Sequence, residues 1–236
     1  MSEPSRLVGV FFEPKKTFAD IAQRPRWFIP FLISAVFSVG FLYAFSTHIG
    51  WDPYLHKMLD TNSRVQQLTA EQRQNIFTLY SRIIPIFVYV APVLGVLIAY
   101  LLGSSIALGI VKGLMGVPVR FKQVLSAYAY GGLPNIIYSV LATVVVFVTR
   151  NPEDFNPQNG FMSNPAALMD PMTASKFLYT VARYVDVFVI WGVLLTATGL
   201  KAAGGKKLSF GGALFAVVLP FLVFILISGA LAGLQS

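Results

Sequence analysis

Apolar residues dominate five stretches of this chain: Trp27 to Thr47, Ile83 to Val111, Val124 to Thr149, Phe177 to Leu200 and Leu208 to Leu234. Each is long enough to cross the hydrocarbon core of a bilayer, which takes about 20 helical residues. None alternates every second residue as a lipid-facing strand does, so the pattern predicts helices and not a barrel. The fold class read from it is all-α and polytopic: a membrane domain over residues 27–236, a bundle of five transmembrane helices, preceded by a segment of residues 1–26. The first run begins only at residue 27 and is long enough to span, so it reads as a retained span and not as a cleaved signal.

The segment before the first span has its own periodicity. In "FFEPKKTFADIAQRPRW", Pro14 suits a first helical position and Pro25 forbids continuation, which predicts a helix of roughly ten residues. Phe18, Ile21 and Ala22 fall at i, i+3 and i+4 on one face, with Lys15 and Lys16 elsewhere. That arrangement predicts a short amphipathic helix lying in the cytoplasmic headgroup layer, before the chain turns inward at Trp27.

Composition supports the membrane reading: 56% of residues are hydrophobic and 12% charged, against about one quarter charged in soluble domains. Charge sets the orientation. The N-terminal segment and the second and fourth connections carry Arg6, Lys15, Lys16, Arg24, Arg26, Lys112, Arg120, Lys122, Lys201, Lys206 and Lys207 against Glu3, Glu13 and Asp20. The first and third connections hold equal numbers of bases and acids. Cytoplasmic loops retain Lys and Arg, so the N-terminus reads as cytoplasmic and, after five crossings, the C-terminus as external. Anionic lipid headgroups are the partner this face suits. The scattered bases carry no recognition fold, which argues against nucleic acid. Cysteine is absent, which excludes disulfides, thiolate nucleophiles and cysteine-ligated metals.

Ionisable residues inside a span are functional candidates by default. Arg183 and Asp186 lie in the fourth run at i, i+3, where one helix would pair them. Asp186 sits about 15 Å from Phe177 at 1.5 Å per residue, near the midplane. Asn135 reaches a comparable depth just after Gly131, Gly132 and Pro134 interrupt the third run. Asp186, Arg183, Asn135 and Tyr130 thus form a candidate midplane polar site, either a pin between helices or an ion, proton or headgroup site.

His48, Asp52, His56 and Asp60 recur every fourth residue, but Gly50 and Pro53 break the stripe and Asp52 reads as a helix cap, so no metal site is expected. No G-x-S-x-G nucleophile accompanies the two histidines. "GLKAAGGKK" lacks the Ser or Thr and the preceding strand of a phosphate loop and reads as a basic turn. Thr69 to Gln72 fits a capping box. The Asn-Pro and Asp-Pro steps of the third connection predict a turn-rich external loop. Gly229 and Gly233 form a GxxxG pair suited to close helix packing. No cofactor is implied.

The order Phe11-Phe12, Pro14, Phe18, Ile21, Pro25, Trp27, Pro30 before a first span, then four more spans with "AYAYGGLP" at the start of the third, resembles the Ypt-interacting protein family, the Yip domain. The resemblance covers nearly the whole chain. It implies a five-span membrane protein with a cytoplasmic N-terminus; eukaryotic members associate with prenylated Rab-type GTPases in vesicle traffic. Where those members carry Asp-Leu-Tyr-Gly-Pro this chain has Trp27-Phe28-Ile29-Pro30, which with its short loops is similar to bacterial members of the cytoplasmic membrane. The function expected is non-enzymatic: a membrane-organising or partner-binding subunit, with a protein partner or a second copy of itself, including as an accessory to a transport or trafficking complex. The alternative is a transporter or lipid or ion translocator centred on Asp186.

Overall fold

A computed structural model describes residues 1–60, 62–151, 155–170 and 173–234, and among these there are helices and turns but no strand. Two short helices, α1 (Glu3–Phe12) and α2 (Pro14–Gln23), lead to α3 (Phe28–His48). After α4 (Asp52–Asp60) and α5 (Ser63–Gln66) come α6 (Ala70–Leu108), α7 (Phe121–Gly131), α8 (Pro134–Val148), α9 (Lys176–Tyr184), α10 (Val187–Gly204) and α11 (Phe210–Gly233). Five stretches are long and apolar enough to cross a membrane: Phe28–His48, Phe87–Leu114, Phe121–Val148, Val187–Lys207 and Phe210–Gly233.

The expected capping box opens α6: Thr69 Oγ1 accepts from the Gln72 N–H at 3.2 Å, and Gln72 Oε1 accepts from the Thr69 N–H at 3.0 Å. Because that cap lies well before the apolar run, α6 starts with a polar stretch against which α4 leans, with the His56 ring stacked on Phe77 at 4.3 Å. His48 sits elsewhere, 5.1 Å from the Phe147 ring. Among the described residues no three His, Asp or Glu side chains gather as metal ligands would.

The third run is two helices joined at Gly132-Leu133, and the junction is filled. A Cβ added to Gly131 would lie 2.0 Å from Thr196 Oγ1 and 2.9 Å from the Thr196 backbone nitrogen. One added to Gly132 would lie 2.0 Å from the Tyr100 hydroxyl, and one on Gly192 would meet the Gly131 carbonyl at 2.9 Å. Small residues let α7 and α10 cross with their backbones nearly touching, the usual source of helix affinity in lipid.

The fourth run differs from expectation. It does not form one helix over 177–200: α9 ends at Tyr184, Val185 and Asp186 leave helical geometry, and α10 restarts at Val187. The two helices lie along α11, α9 beside its C-terminal half and α10 beside its N-terminal half. Gly229 is why α9 fits, since its Cβ would come within 2.9 Å of Phe177 and 3.0 Å of Val181. Gly233 lies one turn further, 3.7 Å from Phe177 by the same measure. The GxxxG pair is thus occupied within the chain.

Val111, Val117, Val119, Leu200 and Leu208 bury together, which brings the second and fourth connections, and their lysines and arginine, to one end of the bundle. Lys201 Nζ donates to the Gly205 carbonyl at 2.6 Å, closing the basic turn. The third connection is more than surface cover: Phe155 is buried against Phe45, and Gly160 sits against Ala142 and Phe41.

Candidate functional site

Two polar assemblies interrupt an otherwise apolar interior, one at the N-terminal helices and one at the α9–α10 break.

The first centres on Arg6, 1% exposed although it is charged. α1 forms because Ser2 caps it, its hydroxyl accepting from the Ser5 N–H at 3.4 Å, and because Pro4 stands in the first turn, where its missing N–H costs nothing. Helical spacing then puts Glu3 and Arg6 on one face, with Nη1 donating to Glu3 Oε1 at 3.0 Å. Nε donates to Asp20 Oδ2 of α2 at 2.7 Å, and Nη1 also reaches the Arg24 carbonyl at 3.1 Å. The Met1 ammonium meets Asp20 Oδ1 at 2.9 Å, and Arg26 lies 3.5 Å from Glu3. Glu3 accepts a 2.6 Å bond from the Tyr130 hydroxyl of α7, and Gln123 donates to the Ala22 carbonyl at 2.8 Å. The hairpin of α1 and α2 is therefore clamped onto the bundle.

Burial by itself would lower the pKa of Arg6, but its hydrogen bond with Asp20 and the charges of Asp20 and Glu3 hold it above the usual value. Asp20 is held below the ordinary carboxylate value, first by the Met1 ammonium and, against the opposing effect of burial, by Arg6. Five donors in a rigid fork make arginine the side chain able to hold three acceptors on three segments at once.

This docking corrects the expected orientation of α2. Phe18 and Ile21 do not look outward into lipid; they are 0% and 2% exposed and pack with Val10, Tyr130, Leu133 and Leu195. Phe18 fills the notch above Gly199, where a Cβ would lie 2.8 Å from its ring. The apolar face of an amphipathic helix takes the best apolar neighbour available, and here the bundle supplies it. Lys15 and Lys16 remain exposed, Lys16 paired with Glu13 at 2.8 Å. Trp27 stands at the start of α3 with its ring edge-on to Phe28.

The second assembly surrounds Asp186, which lies beside the middle of α11, since Tyr184 of α9 rests on Phe221 and Phe224. Asp186 is 5% exposed and caps α10: Oδ1 accepts from the N–H groups of Phe188 at 2.8 Å and Val189 at 3.3 Å. Ser163 donates its hydroxyl to Oδ2, Asn164 approaches the same oxygen at 3.5 Å, and the Val187 N–H donates to the Ser163 carbonyl at 3.1 Å. A carboxylate supplied with several donors at a helix N-terminus needs no cation beside it.

Of the four residues expected to share one site, Tyr130 and Asn135 take other partners, whereas Arg183 and Asp186 both lie within electrostatic reach of the Tyr138 hydroxyl. The break at Val185 removes the helical i, i+3 geometry that would have paired Arg183 with Asp186. Tyr130 belongs to the Arg6 clamp. The Asn135 amide donates to the Gly132 carbonyl at 3.2 Å and is exposed. Sequence reading missed Glu3, Arg6 and Asp20, although Ser2, Pro4 and an isolated arginine amid apolar residues were the signals of a capped helix with one buried polar face. It also missed Ser163 and Asn164, whose position beside Asp186 no spacing discloses.

A cap makes a sharp prediction. Asp186→Asn keeps an acceptor for both N–H groups and should cost about 1 kcal/mol, whereas Asp186→Leu leaves them and Ser163 unsatisfied and should cost about 3 kcal/mol. Thermal midpoints in detergent measure the difference; equal losses would contradict the capping role.

A family model described as the Yip1 domain matches residues 8–231. The chain is similar to a Bacillus subtilis (strain 168) protein named Membrane protein YknW, 28% identical over 238 residues, covering 98% of this chain and 94% of that one. No solved structure matches. With five helices of membrane-spanning length and a family match over almost its entire length, the chain belongs to the Yip1 domain family.

Proposed function

We infer that this chain is a non-enzymatic subunit of the bacterial cytoplasmic membrane that binds and organises partner membrane proteins, with its N-terminus cytoplasmic and its C-terminus external. The observation that carries the reading is the uneven cover of the spans. Only 17% of the second span, on α6, is buried and 22% of the fifth, against 39% for the first, third and fourth. Beside it, between α3 and α6, lies an open hollow of about 630 Å³ lined by Leu32, Val36, Gly40 and Val93, with Tyr43 and Tyr89 at one end. Gly40 has nothing within 4 Å of a Cβ position, whereas Gly131, Gly192, Gly199 and Gly229 are each filled by the chain itself. A flank so thinly covered suits another transmembrane helix, since close packing is the main source of helix affinity in lipid.

Transport centred on Asp186 has less support, because its carboxylate caps α10 and is closed over by Ser163 and Asn164. The basic end of the bundle suits anionic headgroups, and the same flank of α6 could receive a second copy of the chain.

Photo-crosslinking groups placed at Leu94 and Ile98 in native membranes test the reading. Discrete protein adducts are expected there, and lipid adducts alone would refute it. A reporter fused after Ser236 is expected outside the cell and one inserted between Ala203 and Gly204 inside; a cytoplasmic C-terminus would overturn the orientation.

A further inference from the structure

The face that α1 turns away from the bundle is apolar. Val10 is fully buried and Leu7 and Phe11 pack inward, whereas Val8 is 59% exposed and Phe12 81%. Positions 8 and 12 are one turn apart and share a stripe. The stripe is held in place, because Arg6 on the opposite face is fixed by Glu3, Asp20 and the Arg24 carbonyl.

What covers the stripe follows from its depth. The Phe11 ring meets Trp191 at 5.5 Å, and Leu133, Ile136 and Leu195 complete the seat; all four lie within membrane-length stretches. Trp191 precedes Lys201 by ten residues, about 15 Å of helix. At that level α10 itself shows Ile190 and Leu194, 48% and 44% exposed, so Val8 and Phe12 continue the apolar outer surface of a span. Lys15 and Lys16 stand at the turn into α2, and Glu13 offsets one of their charges. Long lysine stems can lie along apolar surface while their ammonium groups reach the headgroups.

We propose that the α1–α2 hairpin is a wedge seated in the leaflet at the basic end of the bundle, with Val8 and Phe12 in the acyl layer and Lys15 and Lys16 on the phosphates of anionic phospholipids. The lipid-contacting helix is then α1, while α2 is the arm that fastens it to α7 and α10. The wedge does not depend on which protein partner α6 binds.

The absence of native cysteine allows single labels without background. Nitroxides at V8C, F12C, K16C and Q23C in the full chain, reconstituted in phosphatidylcholine vesicles, should divide into two pairs. Positions 8 and 12 should collide severalfold more with dissolved oxygen than with a water-soluble nickel chelate, and positions 16 and 23 the reverse. Adding phosphatidylglycerol should deepen positions 8 and 12, and K15Q/K16Q should remove that response while leaving the depth in phosphatidylcholine unchanged. Nickel access at 8 and 12 equal to that at 23, or shielding of 8 and 12 from both probes, overturns the wedge. No response to phosphatidylglycerol overturns its anionic specificity.

Discussion

Gly131→Ala should be among the most damaging single-methyl changes in this protein, at about 3 kcal/mol or more, the upper part of the range for overpacking. The added carbon would stand 2.0 Å from Thr196 Oγ1 and, more seriously, 2.9 Å from the Thr196 backbone nitrogen and 3.0 Å from its Cα. The hydroxyl can rotate, but the backbone of α10 cannot retreat without pulling Gly192 from its contact with the Gly131 carbonyl. The neighbouring Gly132→Ala meets the hydroxyl end and ring of Tyr100, whose hydroxyl is hydrogen-bonded to Ser34, but no backbone, so a smaller loss of about 2 kcal/mol is expected. Gly40→Ala should be neutral or slightly stabilising, since nothing lies within 4 Å and alanine is the better helix former. Thermal midpoints in detergent rank the three. An order other than 131, 132, 40 would show that the α7–α10 crossing is looser than described.

Arg6→Met should be the most damaging change in the N-terminal segment. It removes the donor to Asp20, Glu3 and the Arg24 carbonyl together while keeping the apolar stem. Breaking a fully buried pair costs 3–5 kcal/mol, but the Glu3 and Asp20 side chains are 15% and 24% exposed, so about 2–3 kcal/mol is the expected loss. Arg6→Lys should recover only part, because a point charge cannot satisfy three acceptors set in a fork. Release of the hairpin should appear as new protease cleavage between Glu13 and Arg24, with the membrane spans intact. Uncut protein at wild-type stability would contradict the clamp. The same contacts set a pH dependence. Asp20 is held below its ordinary value of 3.8, so its contribution is complete above that value and is lost as pH falls through the lower, folded value. Loosening of the hairpin is accordingly expected as Asp20 is protonated in acid.

Much of the architecture was legible in the chain because lipid imposes a single rule: backbone groups must be satisfied within the segment, so long apolar runs become helices. The five spans, the capping box at Thr69 and the start of α2 at Pro14 are local consequences of composition and of short-range hydrogen bonding. The family was legible as well, in the order of these elements. What the chain read alone placed wrongly were the partners of its polar groups. Tyr130 and Asp186 both looked like members of one midplane cluster, yet one is bonded to Glu3, 127 positions away, and the other to Ser163 in a connection that looked like surface cover.

The sequence by itself determined that the apolar runs are helical and which end of the bundle is basic, because hydrophobic length and charge act on each segment alone. Only the tertiary structure decided where amphipathic faces and buried charges went. The apolar face of α2 suited either lipid or protein, and the notch left by Gly199 and Ala127 gave Phe18 the closer fit. The carboxylate of Asp186 required donors, and a break in the fourth run together with a folded-in connection supplied them. Such choices are settled by contacts between residues far apart in the chain, whose competing partners have similar free energies until packing distinguishes them.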